Sequence, residues 1–141
     1  MKRETHYLNT DLDLVAGQSL QALADALETR GVFPLHVHLR DDQQWYSTLE
    51  TVEQFTQPEP NIVALLTAIE ALDPQSRIQW DACVIREFNI GYDCGDEPRA
   101  FNHGLTASTL ARMAALAISL RITLYPAENA SATTLRPTHD A

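Results

Sequence analysis

Two histidines one residue apart, His36 and His38, sit in "VFPLHVHLR", where apolar and polar residues alternate. In an extended strand that spacing puts both imidazoles on one face, about 6–7 Å apart along the backbone. Imidazoles so placed can share a metal ion when a third ligand arrives. Asp11, Asp13 and Glu50, each in an alternating segment of its own, are the residues that could supply it. Glu87 and Asn89, in "REFNIGYD", add a carboxylate and an amide at the same spacing. Carboxylates and imidazoles on one surface also suit general acid–base work. A plainer account stands beside both: a sheet face that no helix covers is polar whatever it does. No third metal ligand is fixed by spacing, so no metal and no cofactor is assigned.

Residues 86–105, "REFNIGYDCGDEPRAFNHGL", look at first like a site. Their glycines have local explanations. Gly91 within a strand suits a bulge or a close backbone approach. Gly95 suits a positive-φ turn position, and Gly104 precedes a helix start. They form neither a GxGxxG nor a Walker loop. Nucleophilic catalysis has no GxSxG and no cysteine with an evident base. Cys83 is expected in a strand and Cys94 in a turn, while His103 is expected to cap or touch the following helix. Arg86 falls in an otherwise apolar row. It is therefore expected to be structural, paired with a carboxylate or with backbone carbonyls, because an unpaired buried guanidinium is costly.

The elements that must position these groups follow from periodicity. "HYLNTDLDLV" alternates as a half-buried strand, with Leu8, Thr10, Leu12 and Leu14 on one side and Tyr7, Asn9, Asp11 and Asp13 on the other. "SLQALADALETRG" has a helical stripe with Gly31 suited to its C-terminal cap. In "VFPLHVHLR", Phe33, Leu35, Val37 and Leu39 oppose Pro34, His36, His38 and Arg40, and Pro34 marks an edge strand or a late start. "QWYSTLETVEQF" reads as a strand, with a short helix as the alternative. "PEPNIVALLTAIEALDP" is a helix that Pro74 ends. "IQWDACVIREFNIGYD" reads as one long strand whose core face includes Ile78, Trp80, Val84, Phe88 and Ile90. "TASTLARMAALAI" is a helix capped by Thr106 or Ser108, and "LRITLY" is the last strand.

The resulting order is an α+β fold: a ferredoxin-like βαββαβ sheet extended by a C-terminal αβ unit. It has three helices in one domain over residues 1–126, with a loose polar tail over 127–141. In that arrangement the helices cover one sheet face. The other face gathers Asn9, Asp11, Asp13, His36, His38, Glu50, Glu87 and Asn89, joined by Arg121 and Thr123.

Composition narrows the partners. The chain has 141 residues, of which 45% are hydrophobic and 21% charged, as in ordinary globular domains. Its formal charge is −9, which disfavours nucleic-acid phosphates and anionic membranes and favours a basic protein partner. Two cysteines outside any CxxC pair fit a reducing, cytoplasmic setting. The N-terminus lacks the apolar stretch of a signal peptide.

In "WYSTLETVE", the helix "IVALLTAIEAL", a strand leading to a polar turn, and "FNHGLTASTLARMAALAISLRITLYP", the layout over 45–126 resembles small uncharacterised bacterial domains grouped near the immunity proteins of toxin systems. The resemblance lies in order and pattern, and it carries over no active-site residue. It implies a non-enzymatic binding protein. Two functions therefore compete. One is a protein-binding module that meets a basic partner through Asp11, Asp13, His36, His38, Glu50, Glu87 and Asn89. The other is a small-molecule or metal-binding enzyme using the same face. A homodimer through the sheet or an edge strand is compatible with either.

Overall fold

The computed structural model describes residues 3–126; the expected tail at 127–141 lies outside the described residues. The element order is β1 (His6–Ala16), α1 (Gln21–Glu28), β2 (Val32–Leu39), β3 (Trp45–Thr51), α2 (Pro58–Glu70), α3 (Pro74–Ala82), β4 (Ile85–Asp93), α4 (Ala107–Ala115) and β5 (Ser119–Tyr125). The class is α+β, with one five-stranded sheet in the order β2-β3-β1-β4-β5. The first four strands pair antiparallel, and β5 joins β4 in parallel. The segment at 45–51 is a strand, not the alternative helix.

All four helices lie over one face of this sheet. Leu12 and Leu14 of β1, Leu49 of β3 and Phe88 and Ile90 of β4 meet Leu23 and Leu27 of α1, Leu65 and Ile69 of α2, Trp80 of α3 and Met113 of α4 in a single buried cluster. Fully burying side chains of this size contributes about 1.5–3 kcal/mol each, so this layer fixes which way every strand faces.

The fourth helix is a correction. The 78–82 stretch, expected to open the long strand, is the end of α3. Asp73 is its N-cap, accepting from the Ser76 N–H at 3.2 Å, and Pro74 occupies its first turn. Proline there starts a helix and does not merely end the preceding one. Trp80 is core as expected, but from a helix, with its indole N–H donating to the Leu116 carbonyl at 3.1 Å. Ile78 is exposed, and Val84, in the short link to β4, is 65% exposed. Neither belongs to the core. Cys83 is not in a strand: it caps α3 at its C-terminus and is buried, which pushes its thiol up to about 11.

Two irregularities overturn other side-chain assignments. The β1–β4 register shifts between Tyr7 and Asn9. A bulge advances the alternation by one residue, so Tyr7 turns into the core and Leu8 turns out. The polar groups inside are matched: the Tyr7 hydroxyl donates to Asn61 Oδ1 at 2.6 Å, and the Thr10 N–H donates to the same oxygen at 3.2 Å. The β2–β3 register shifts between Pro34 and His36. Beyond it, Pro34 pairs with core-facing Leu49, Phe33 pairs with Glu50, and Leu35 and Leu39 are exposed.

Candidate functional site

The sheet face away from the helices carries the expected polar side chains. Strand pairing sets Asp11 beside Asn89 and Asp13 between Glu87 and Thr48, and Thr48 pairs in turn with His36. The cross-strand row Glu87, Asp13, Thr48, His36 therefore runs over four strands, and Arg121 of β5 closes it with an ion pair to Glu87 at 2.7 Å. Asp11, Asp13, His36, Glu87 and Asn89 all line one cleft of about 460 Å³. Asn89 accepts from the Thr123 hydroxyl at 2.7 Å. A Cβ on Gly91 would meet the Asn9 side chain at 3.4 Å.

Glu50 and His38 stand apart from that cleft. Glu50 borders a neighbouring pocket of about 190 Å³ and joins Asp11 through the Asn9 amide, which donates to Asp11 at 2.8 Å and to Glu50 at 3.2 Å. His38 accepts from Arg40 Nε at 3.0 Å, and the Arg40 guanidinium stacks over the Tyr46 ring at 3.9 Å. The two imidazoles do share a face, with ring centres 4.7 Å apart. Among the described residues, no group of three or more His, Cys, Asp and Glu side chains is placed to hold a metal ion.

Asp11 and Asp13 are electrostatically unsettled. Each is half-buried, and among the described residues their only hydrogen-bond donors are the neutral Asn9 amide and the Thr48 hydroxyl, the latter at 2.7 Å. Among the described residues, neither makes an ion pair within 4 Å. Burial, then the negative charges of Asp13 and Glu50, push Asp11 up to about 6. Burial raises Asp13 as well, against the Thr48 hydrogen bond and the positive field of Arg121. His36 is held below its ordinary value, first by burial and then by His38 and Arg40. The face is thus more negative at neutral pH than an unshifted imidazole would make it.

Thr48, Tyr46, Arg40 and Tyr125 also line the cleft without having been picked out as site residues. The signal for Tyr125 was present: it continues the Arg121, Thr123 alternation by one more step. His103 does not serve the following helix; its Nδ1 meets the Tyr92 hydroxyl at 3.0 Å, within a ring cluster that includes Phe101. Gly95 has no positive φ. It is glycine because a Cβ would run into the Arg3 backbone.

No family model matches the chain, and no match emerges among curated proteins or solved structures.

Proposed function

We propose that the protein works by binding, and that the open sheet face around Asp11 and Asp13 receives a cationic group of a basic protein partner. The observation that carries this reading is the pair of half-buried carboxylates that, among the described residues, have neutral donors and no ion pair within 4 Å. Keeping such groups together destabilises the free protein, and a lysine or arginine from a partner relieves both the burial and the mutual repulsion. The charge of −9 brings such a partner in. The immunity-type resemblance belongs to the same proposal, since it too implies a non-enzymatic binder. As to the fold, we read β2-β3-β1-β4 as the ferredoxin-like arrangement, with α3 inserted and α4–β5 appended. The antiparallel pairing of those four strands supports this.

One observation favours a second reading. A carboxyl raised to about 6 inside a cleft is what a general acid or base near neutral pH requires. A small-molecule enzyme on this face is therefore the alternative.

Affinity capture with the parent chain and with Asp11→Asn/Asp13→Asn as baits separates the two. The binding reading expects a reproducible basic protein on the parent, held about tenfold or more weakly by the double variant. Its retention should also fall as salt rises. A partner held equally by both baits would rule this face out as the contact.

A further inference from the structure

We infer that β5 pairs antiparallel with β5 of a second copy of the chain, about a two-fold axis at Ile122, and that this seam makes a homodimer. The core layer does not stop at β4. Phe88, Ile90 and Tyr92 are buried, and the residues paired with them on β5, Leu120, Ile122 and Leu124, continue the same face. Yet these three are 42%, 57% and 63% exposed. The apolar row runs on into a cleft of about 470 Å³ bordered by Tyr92 and Phe101.

The backbone points the same way. The Tyr125 carbonyl accepts from the Cys94 N–H at 2.8 Å, so Tyr125, and with it Thr123 and Arg121, turns its peptide groups toward β4. Strand alternation then leaves the N–H and C=O of Leu120, Ile122 and Leu124 pointing outward. Because β5 ends the sheet, they have no strand partner among the described residues. The other edge is guarded: β2 carries Pro34 and a register shift beside it. β5 has neither device, and such an edge is a template for another strand.

A second copy fits the row better than other occupants. About a two-fold at Ile122, Ile122 exchanges both backbone bonds with Ile122 of the second copy, and Leu120 does so with Leu124. The row is therefore its own complement, with apolar side chains opposite apolar ones. Arg121, the sole charge on β5, falls opposite Thr123 and stays tied to its own Glu87. No like charges fall directly opposite one another across the seam. The fifteen residues after Pro126 carry one large apolar side chain, Leu135. The inference is independent of what the polar face binds.

The test is the molar mass of the full chain in solution by sedimentation equilibrium, with circular dichroism to confirm folding. The parent is expected at twice the chain mass. Ile122→Lys sets two ammonium groups face to face on the axis and is expected to return the chain mass. Val84→Lys, exposed and off the seam, is expected to remain a dimer. Leu120→Glu alone should raise the dimer dissociation constant tenfold or more. Leu120→Glu/Leu124→Lys, which sets a carboxylate opposite an ammonium at both ends, should recover most of that loss. A monomeric parent overturns the proposal and gives the row to the C-terminal segment or to another protein. A dimer indifferent to Ile122→Lys overturns it too, as does a double variant no tighter than Leu120→Glu alone.

Discussion

Asp11 shows how a single side chain can oppose folding and serve binding. Its carboxyl titrates at about 6 in the folded chain against an ordinary 3.8, chiefly because it is buried. Between those values the folded state holds the proton that the unfolded state has released. The contribution is therefore intact below 3.8 and is lost as pH rises through about 6. Asp11→Asn removes the charge and keeps the shape. It is expected to stabilise the protein by about 1 kcal/mol at pH 7 after allowance for solvent screening at this half-open face, and by nothing at pH 4. Denaturant midpoints at the two pH values check this, and an equal effect at both would show that charge is not the cause. The same substitution should weaken partner capture, so that stability and function move in opposite directions.

At the scale of elements, the stretch around Trp80 shows what a sequence reveals and what it hides. Ile78, Trp80, Ala82 and Val84 alternate with polar residues as a strand would, yet 74–82 is helical. The alternation arises by coincidence: the helix buries chiefly Trp80 and Ser76, four residues apart on one stripe. The cue that decides is Asp73-Pro74 followed by Ser76, an N-cap with proline in the first turn. Strands β1, β3 and β4 were legible because one of their faces is buried, which ties period two to sequence. The ends of β1 and β2 were not, because each contains a register shift that reverses the alternation; Gly91, opposite the shift in β1, suits a bulge but does not say that the extra residue lies in β1. Val84→Asp tests the corrected layout. With its side chain in solvent, the variant should stay within about 0.5 kcal/mol of the parent by thermal unfolding. A loss of several kcal/mol would put Val84 back in the core.

Across the whole molecule, charge and apolar surface are segregated. The helix side holds the core, the opposite side holds the uncompensated carboxylates, and the exposed apolar row on β5 lies at the sheet's margin. No helix among the described residues is long and apolar enough to cross a membrane. The candidate site was legible as a face, because alternation alone sets Asp11, Asp13, Glu87 and Asn89 together. Its inner geometry was not: that Glu87 is neutralised by Arg121, that His38 turns to Arg40, and that Glu50 borders another pocket all depend on cross-strand neighbours. A chain at −9 also repels itself when folded. Added sodium chloride screens that repulsion, so Tm at pH 7 is expected to rise with salt, and to rise less for Asp11→Asn. A fall in Tm would mean that the four arginine–carboxylate ion pairs between described residues outweigh the excess negative charge.

Arg86 was expected to be structural, and its partners are four backbone carbonyls. Nη1 donates to those of Trp80 at 3.0 Å, Asp81 at 3.4 Å and Cys83 at 2.6 Å, and Nε donates to that of Ala117 at 3.2 Å. The first three close the end of α3, and the fourth lies just past the end of α4. Two helices far apart in the chain thus share one cation where both carry the negative end of their dipoles. The consequence is coupling: unwinding either helix end removes bonds from the cation that the other end shares. The amides of the two helix ends should exchange with solvent at one common rate, as a single opening unit. Arg86→Met is expected to cost about 2–3 kcal/mol and to split that rate in two, with α4, held through one carbonyl, opening first.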